Sequence, residues 1–146
     1  MKKCLLVISV MCVALLAGCG KSNRVLTCTK QLSSTGVKMV QTATVNFIGD
    51  KIDTMNTTIL ATLPDSYKSL INTFVTQFEK QYEKQYGDYK AVKVKTTKLN
   101  DSEIEINIDF DYKSLTDSEK TKLNMAGSED YDVNKKTLEK SGFTCK

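Results

Sequence analysis

Apolar and polar residues alternate most strictly between Ser102 and Lys113. Ile104, Ile106, Ile108, Phe110 and Tyr112 take every second place against Glu103, Glu105, Asn107, Asp109 and Asp111. Successive side chains of an extended chain point to opposite faces, so this period of two predicts a strand with one apolar and one carboxylate-bearing face. Its expected partner is Tyr89 to Lys98, where Val92 and Val94 oppose Lys93 and Lys95. Valines meet isoleucines across the pair only if the loop around Asn100 and Asp101 has odd length. A three-residue loop does this and sets Lys95 against Glu105.

A first hairpin unit precedes these. Arg24 to Ser33 places Leu26, Cys28 and Leu32 on one face, interrupted by Lys30, and Ser33-Ser34-Thr35-Gly36 is a turn signal. Val37 to Ile48 places Val37, Met39, Ala43, Val45 and Phe47 on one face, with Gln41 as the exception. Gly49-Asp50 turns the chain into a third strand, Lys51 to Leu63. A two-residue loop pairs Phe47 with Ile52, yet Met55, Ile59, Ala61 and Leu63 prefer odd positions, so a bulge is expected between Ile52 and Met55.

Between the hairpin units the period changes to that of a helix. After Pro64, Tyr67, Leu70, Ile71, Phe74, Val75, Phe78 and Tyr82 recur at helical spacing and Gly87 ends the run. This predicts an amphipathic helix of about 20 residues, with Asp65 as N-cap and the apolar stripe on the sheet. At the C-terminal end, Thr116-Asp117-Ser118-Glu119 has capping-box spacing. Asp132 reads as the N-cap of a last helix, Val133 to Ser141. Gly142 follows as a left-handed C-cap, with Phe143 packing back on the helix. The expected fold is α+β: an antiparallel sheet of about five strands in two hairpin units, covered by one long amphipathic helix, with short C-terminal helices.

The start of the chain has a different character. Lys2 and Lys3 precede an apolar run, Leu5 to Leu16, of twelve residues. A permanent membrane helix needs about 20, so the layout is that of a secretory signal. The run ends in Leu16-Ala17-Gly18-Cys19, which resembles the lipobox of bacterial lipoproteins. That resemblance implies cleavage before Cys19 and a diacylglyceryl group, with palmitate-type chains, on its sulfur. Two chains give stable attachment where one does not. The expected divisions are a signal peptide at 1–18, a tether at 19–23 and a single domain at 24–146. The expected location is the extracytoplasmic side of the cell membrane.

Processing simplifies charge and cysteine content. Removing Lys2 and Lys3 leaves 19 basic and 17 acidic side chains, a net of +2, with no basic stripe to suggest nucleic acid. Cys4 and Cys12 leave with the signal and Cys19 takes the lipid. Cys28 and Cys145 remain, and an exported pair reads as a disulfide.

Strand hairpin, long helix, second hairpin and terminal helices behind a lipobox resemble the small bacterial lipoproteins of the YehR type. The residues that carry this are Leu26-Thr27-Cys28, Phe47-Ile48-Gly49-Asp50-Lys51-Ile52 and Gly142-Phe143-Thr144-Cys145. The resemblance implies a single α+β domain outside the membrane and brings no activity with it.

The chain has no histidine, which removes His-based acid–base chemistry and Ser–His or Cys–His nucleophiles. No catalytic residue, metal ligand or cofactor other than the lipid on Cys19 is expected. Two acidic clusters are candidates for chemistry. Glu103, Glu105, Asp109 and Asp111 could serve glycoside hydrolysis if they met in a cleft. Ser128-Glu129-Asp130-Tyr131-Asp132 offers oxygens to calcium but reads better as a polar loop ending in an N-cap. The expected function is a non-catalytic binding or interaction module of the envelope, partnered by the membrane and by an envelope protein or polysaccharide. The rivals are an envelope polysaccharide hydrolase and a small solute-binding lipoprotein.

Overall fold

The structure is a computed structural model that describes residues 22–34 and 36–146. The signal segment, the lipobox and Cys19 lie outside the described residues. Six strands form one antiparallel sheet: β1 (Asn23–Ser34), β2 (Val37–Ile48), β3 (Lys51–Thr62), β4 (Val92–Lys98), β5 (Glu103–Phe110) and β6 (Thr144–Cys145). Their order is β4-β5-β3-β2-β1-β6. The helices are α1 (Ile71–Tyr86), α2 (Asp117–Lys122) and α3 (Tyr131–Lys140). The fold is the expected α+β arrangement, with a sixth strand added where the chain end pairs with β1.

Alternation along each strand becomes rows across the sheet. On the inner face one row runs Val92, Phe110, Met55, Val45, Leu26, and the next Val94, Ile108, Thr57, Ala43, Cys28, Cys145. Leu26, Cys28, Val45, Phe47, Ile104 and Ile106 are almost fully buried, each large side chain contributing about 1.5–3 kcal/mol by leaving water. The outer face carries Thr29, Thr42, Thr58 and Asn107 in one row, and among the described residues no helix packs on it. The expected bulge is present. Phe47 pairs with Ile52 but Asn46 pairs with Thr54, so Asp53 is the extra residue and parity is restored before Met55.

Several expectations are corrected. The β4–β5 register places Lys95 against Asn107 and Thr97 against Glu105. The loop is longer than three residues because Asn100 organises it. Its Oδ1 accepts from the Ser102 backbone N–H (2.9 Å) and hydroxyl (3.1 Å), and its amide donates to Glu103 (2.6 Å). The long helix begins as a 3₁₀ turn, Asp65–Leu70, without a side-chain cap; Asp65 is held by the Lys68 ammonium at 2.8 Å. The last helix starts earlier than expected, because Asp130 rather than Asp132 accepts from the Val133 N–H (3.0 Å). That start also places the Tyr131 ring 5.3 Å from Phe47 and under the Arg24 guanidinium at 4.7 Å.

The chain end forms as its sequence suggests. Thr116 and Glu119 form a complete capping box. Gly142 takes φ +86°, which glycine reaches without strain. The Phe143 N–H then reaches the Leu138 carbonyl (3.1 Å) and the Gly142 N–H that of Glu139 (3.0 Å), a Schellman ending. The reversal lays Thr144 and Cys145 beside β1, where Cys145 and Cys28 face each other and their sulfurs are bonded at 2.04 Å.

Candidate functional site

The helices divide the inner face unevenly. α1 packs over β4 and β5, α3 over β1 and β6, and β2 and β3 run between them. The α1 stripe is therefore offset from the centre of the sheet. Ile71 is its one buried residue, while Phe74, Val75, Phe78, Tyr82 and Tyr86 stay half-buried. Beside α1 this offset leaves an open trough of about 480 Å³. Its floor is Leu32, Met39, Gln41, Thr57 and Ile59, and its wall is Phe78, Gln81, Tyr82, Gln85 and Tyr86, closed at the back by Ile108 and Phe110. None of these twelve residues is charged, in a chain that is 26% charged overall.

The trough combines aromatic rings with amides. The Tyr82 and Tyr86 rings lie parallel, 6.2 Å apart, and the Gln85 amide donates to the Tyr86 hydroxyl (3.0 Å). Burial raises the pKa of both phenols, most directly by desolvation, so they present neutral hydroxyls at physiological pH. Gln41 shares a cross-sheet row with Ile59 and Lys30. Lys30 and Gln41 interrupt the inner-face runs Leu26 to Leu32 and Val37 to Phe47. Lys30 has a structural explanation: its ammonium donates to the Ser141 carbonyl (2.7 Å) at the negative end of α3 and lies 5.6 Å from the Phe143 ring. Gln41 makes no comparable tie among the described residues and faces the trough. The alternation break at Gln41 was the sequence signal for this site, although the helix offset that opens it was not legible there.

The acidic candidates disperse. Glu105 and Asp109 share the outer face, four residues apart on one strand. That is about 13 Å, outside the roughly 5–9.5 Å that paired carboxyls need in glycosidases. Glu103 and Glu105, two apart at about 7 Å, fall inside that range but on the open outer face rather than in a cleft. Glu105 and Asp109 each take part in side-chain hydrogen bonds. Asn107 donates to Glu105 (2.7 Å) and Asn56 to Asp109 (2.7 Å), while the Thr58 hydroxyl, with one proton to give, donates to Asn107 (2.7 Å) with the Asn56 amide oxygen 3.1 Å away. Glu103 is taken by Asn100, and Asp111 by the Ser114 hydroxyl (2.7 Å). Asp109 and Asp111 do share a cleft of about 640 Å³ with Lys90, Lys93, Asn46, Asn56, Met55 and Phe110, but both are exposed. In the second cluster, the Ser128 hydroxyl accepts from the Asp130 N–H (3.1 Å). The Asn134 amide donates to the carbonyls of Ser128 (2.7 Å) and Asp130 (2.8 Å). Among the described residues no three acidic or cysteine side chains converge as a metal site would require. No helix among them is long and apolar enough to cross a membrane.

No family model matches the chain, and no curated protein matches it. The fold is similar to the NMR structure of a protein from Streptococcus pneumoniae TIGR4. The TM-score is 0.56 at 14% identity, covering 100% of this chain and 94% of that one. At that identity the likeness shows the fold alone.

Proposed function

We propose that the chain is a lipid-anchored binding module of the bacterial envelope, held to the membrane by a diacylglyceryl group on Cys19 and taking an uncharged partner in the trough beside α1. The carrying observation is the trough: half-exposed rings and the amides of Gln41 and Gln81 over a sheet, with no charge among its lining residues. A charged ligand would lose its hydration there without a counter-charge. A neutral segment of polysaccharide or extended polypeptide could pair its polar groups with Gln41, Gln81 and Gln85 and stack on Tyr82 or Tyr86. The hydrolase alternative needs a carboxyl with a raised pKa in a sheltered cleft, and the exposure of Asp109 and Asp111 argues against it.

The test is titration of the mature domain with neutral polysaccharide and peptide fractions of the envelope. Gln41→Lys should weaken binding about ten-fold or more, about 1.4 kcal/mol, with an unchanged circular dichroism spectrum. Glu105→Gln and Asp109→Asn should bind as the parent does. Turnover of polysaccharide that these two amide variants abolish would replace this reading with the hydrolase. Cys19→Ser should move the protein from the membrane to the soluble fraction.

A further inference from the structure

We propose that the domain stands on the bilayer by its β2–β3 turn, with Ile48, Gly49 and Asp50 at headgroup level and the trough held away from the lipid. The inference rests on the lipid-anchor reading of Cys19 and adds to it a surface and a posture. Ser22 is the link. Its carbonyl accepts from the Gly49 N–H at 3.1 Å, which pins the start of the domain to that turn. Cys19 lies three residues before Ser22, and three residues of extended chain reach about 11 Å at most. The lipid-bearing sulfur sits at the base of the headgroups, a layer roughly 5–7 Å deep on each side of the hydrocarbon. The turn therefore cannot rise more than a few ångströms above the headgroups.

The chemistry of this end suits that position. Val25 and Ile48 are exposed there, at 55% and 37%, and offer apolar contact. Two of the nearby charged groups are paired within the protein, Arg24 with Asp50 (3.4 Å) and Lys113 with Asp53, and the exposed Lys51, opposite Ile48 across the turn, places a positive charge where anionic headgroups would meet it. The outer face is less suited to lie on the bilayer. Its threonines, asparagines and carboxylates are wet and bonded to one another, and Glu105 and Asp109 would be repelled by anionic headgroups. With the strands rising from the turn, Gln41 stands about 23 Å above Ile48 and Thr62 about 36 Å above Lys51 at 3.3 Å per residue. The trough then opens towards whatever lies outside the membrane.

The chain contains no tryptophan, so single indoles report without background. Ile48→Trp and Leu99→Trp, the latter in the β4–β5 loop at the opposite end, are made in the lipidated mature protein. Each is reconstituted into phosphatidylethanolamine–phosphatidylglycerol vesicles containing a headgroup-nitroxide lipid. The indole at position 48 should be quenched at least five-fold more than that at position 99. Val25→Trp provides a second reporter at the same end should substitution at the turn disturb it. Equal or stronger quenching at position 99, in protein that floats with the vesicles, overturns the posture and leaves the anchor standing. A Cys19→Ser protein that floats as well as the parent removes the anchor and the posture with it.

Discussion

Breaking the Cys28–Cys145 bond should cost this domain a large share of its stability. The cysteines are 117 residues apart, so the bond constrains almost the whole folded chain. In the chain-entropy treatment a loop of this length is worth about 4.9 kcal/mol at 25 °C. Denatured chains retain structure and measured effects fall below that bound, so the expected loss is about 3–4.5 kcal/mol. Domains of this size are stable by only about 5–15 kcal/mol. The noncovalent ties of the chain end are a two-residue strand, the packing of Tyr131, Leu138 and Phe143 on the core, the Arg24–Tyr131 contact and the Lys30–Ser141 hydrogen bond, and none of its side chains is fully buried. Equilibrium guanidinium unfolding followed by far-ultraviolet circular dichroism, with and without reductant, measures the difference. Reduction leaves the buried Cys28 thiol in place, so it isolates the cross-link from any packing loss. Cys145→Ala removes the cross-link without reductant, together with the packing of the half-buried Cys145 sulfur. At roughly 3–4 °C per kcal/mol for a domain of this length, the melting temperature should fall by about 10–18 °C. A change below about 1 kcal/mol in both experiments would refute the reasoning, because it would mean that the chain end stays docked without the bond.

Three further outcomes follow from local geometry. Gly142→Ala should destabilise by about 1–2 kcal/mol in the same unfolding assay, since φ +86° is costly for any residue with a Cβ. Thr116→Ala should cost about 0.5–2 kcal/mol by removing the cap of α2. Glu119 accepts from the Thr116 N–H and hydroxyl, both at 2.8 Å, and these bonds lower its pKa from the usual 4.5. Its contribution is therefore present above the unfolded pKa and lost as pH falls through the folded one. Unfolding midpoints measured from pH 6 downwards should drop less steeply in acid for Glu119→Gln than for the parent.

The parts of the fold that depend on period and parity were legible along the chain. The Asp53 bulge follows from counting Phe47, Ile52 and Met55, and the β5 inner face from Ile104, Ile106 and Ile108. Glycine and capping signals at Gly142 and Thr116 were equally direct, because each satisfies backbone groups within a few residues. The misread positions are those where a tertiary partner chose between local alternatives. Asp130 and Asp132 are both plausible caps, and the choice falls to the one that delivers Tyr131 onto Phe47 and Arg24. The β4–β5 register depended on how Asn100 folds its loop, which hydrophobic spacing does not encode. Likewise the apolar stripe of α1 showed that the helix covers the sheet without showing where. Its displacement towards β4 and β5 opens the trough.

The edges of the sheet sharpen the case for that trough. An open strand edge offers unpaired backbone groups to any extended chain, and proteins commonly guard it with lysines or a covering segment. Here β4 carries Lys93, Lys95 and Lys98 along one edge. At the other edge β6 covers the middle of β1, Thr29 and Cys28 pairing with Thr144 and Cys145, and the disulfide fixes the cover covalently. Partner capture by strand addition is thus opposed along β4 and at the middle of β1. On the outer face Asn56, Thr58, Glu105, Asn107 and Asp109 are engaged with one another by side-chain hydrogen bonds. The trough differs from all three, because Gln41, Tyr82 and Tyr86 are held by the fold while remaining open to solvent. A ligand that enters there displaces water from apolar walls and finds amides ready to bond. This uneven distribution of guarded and open surface favours recognition on the helix-bearing face over pairing at the sheet edges.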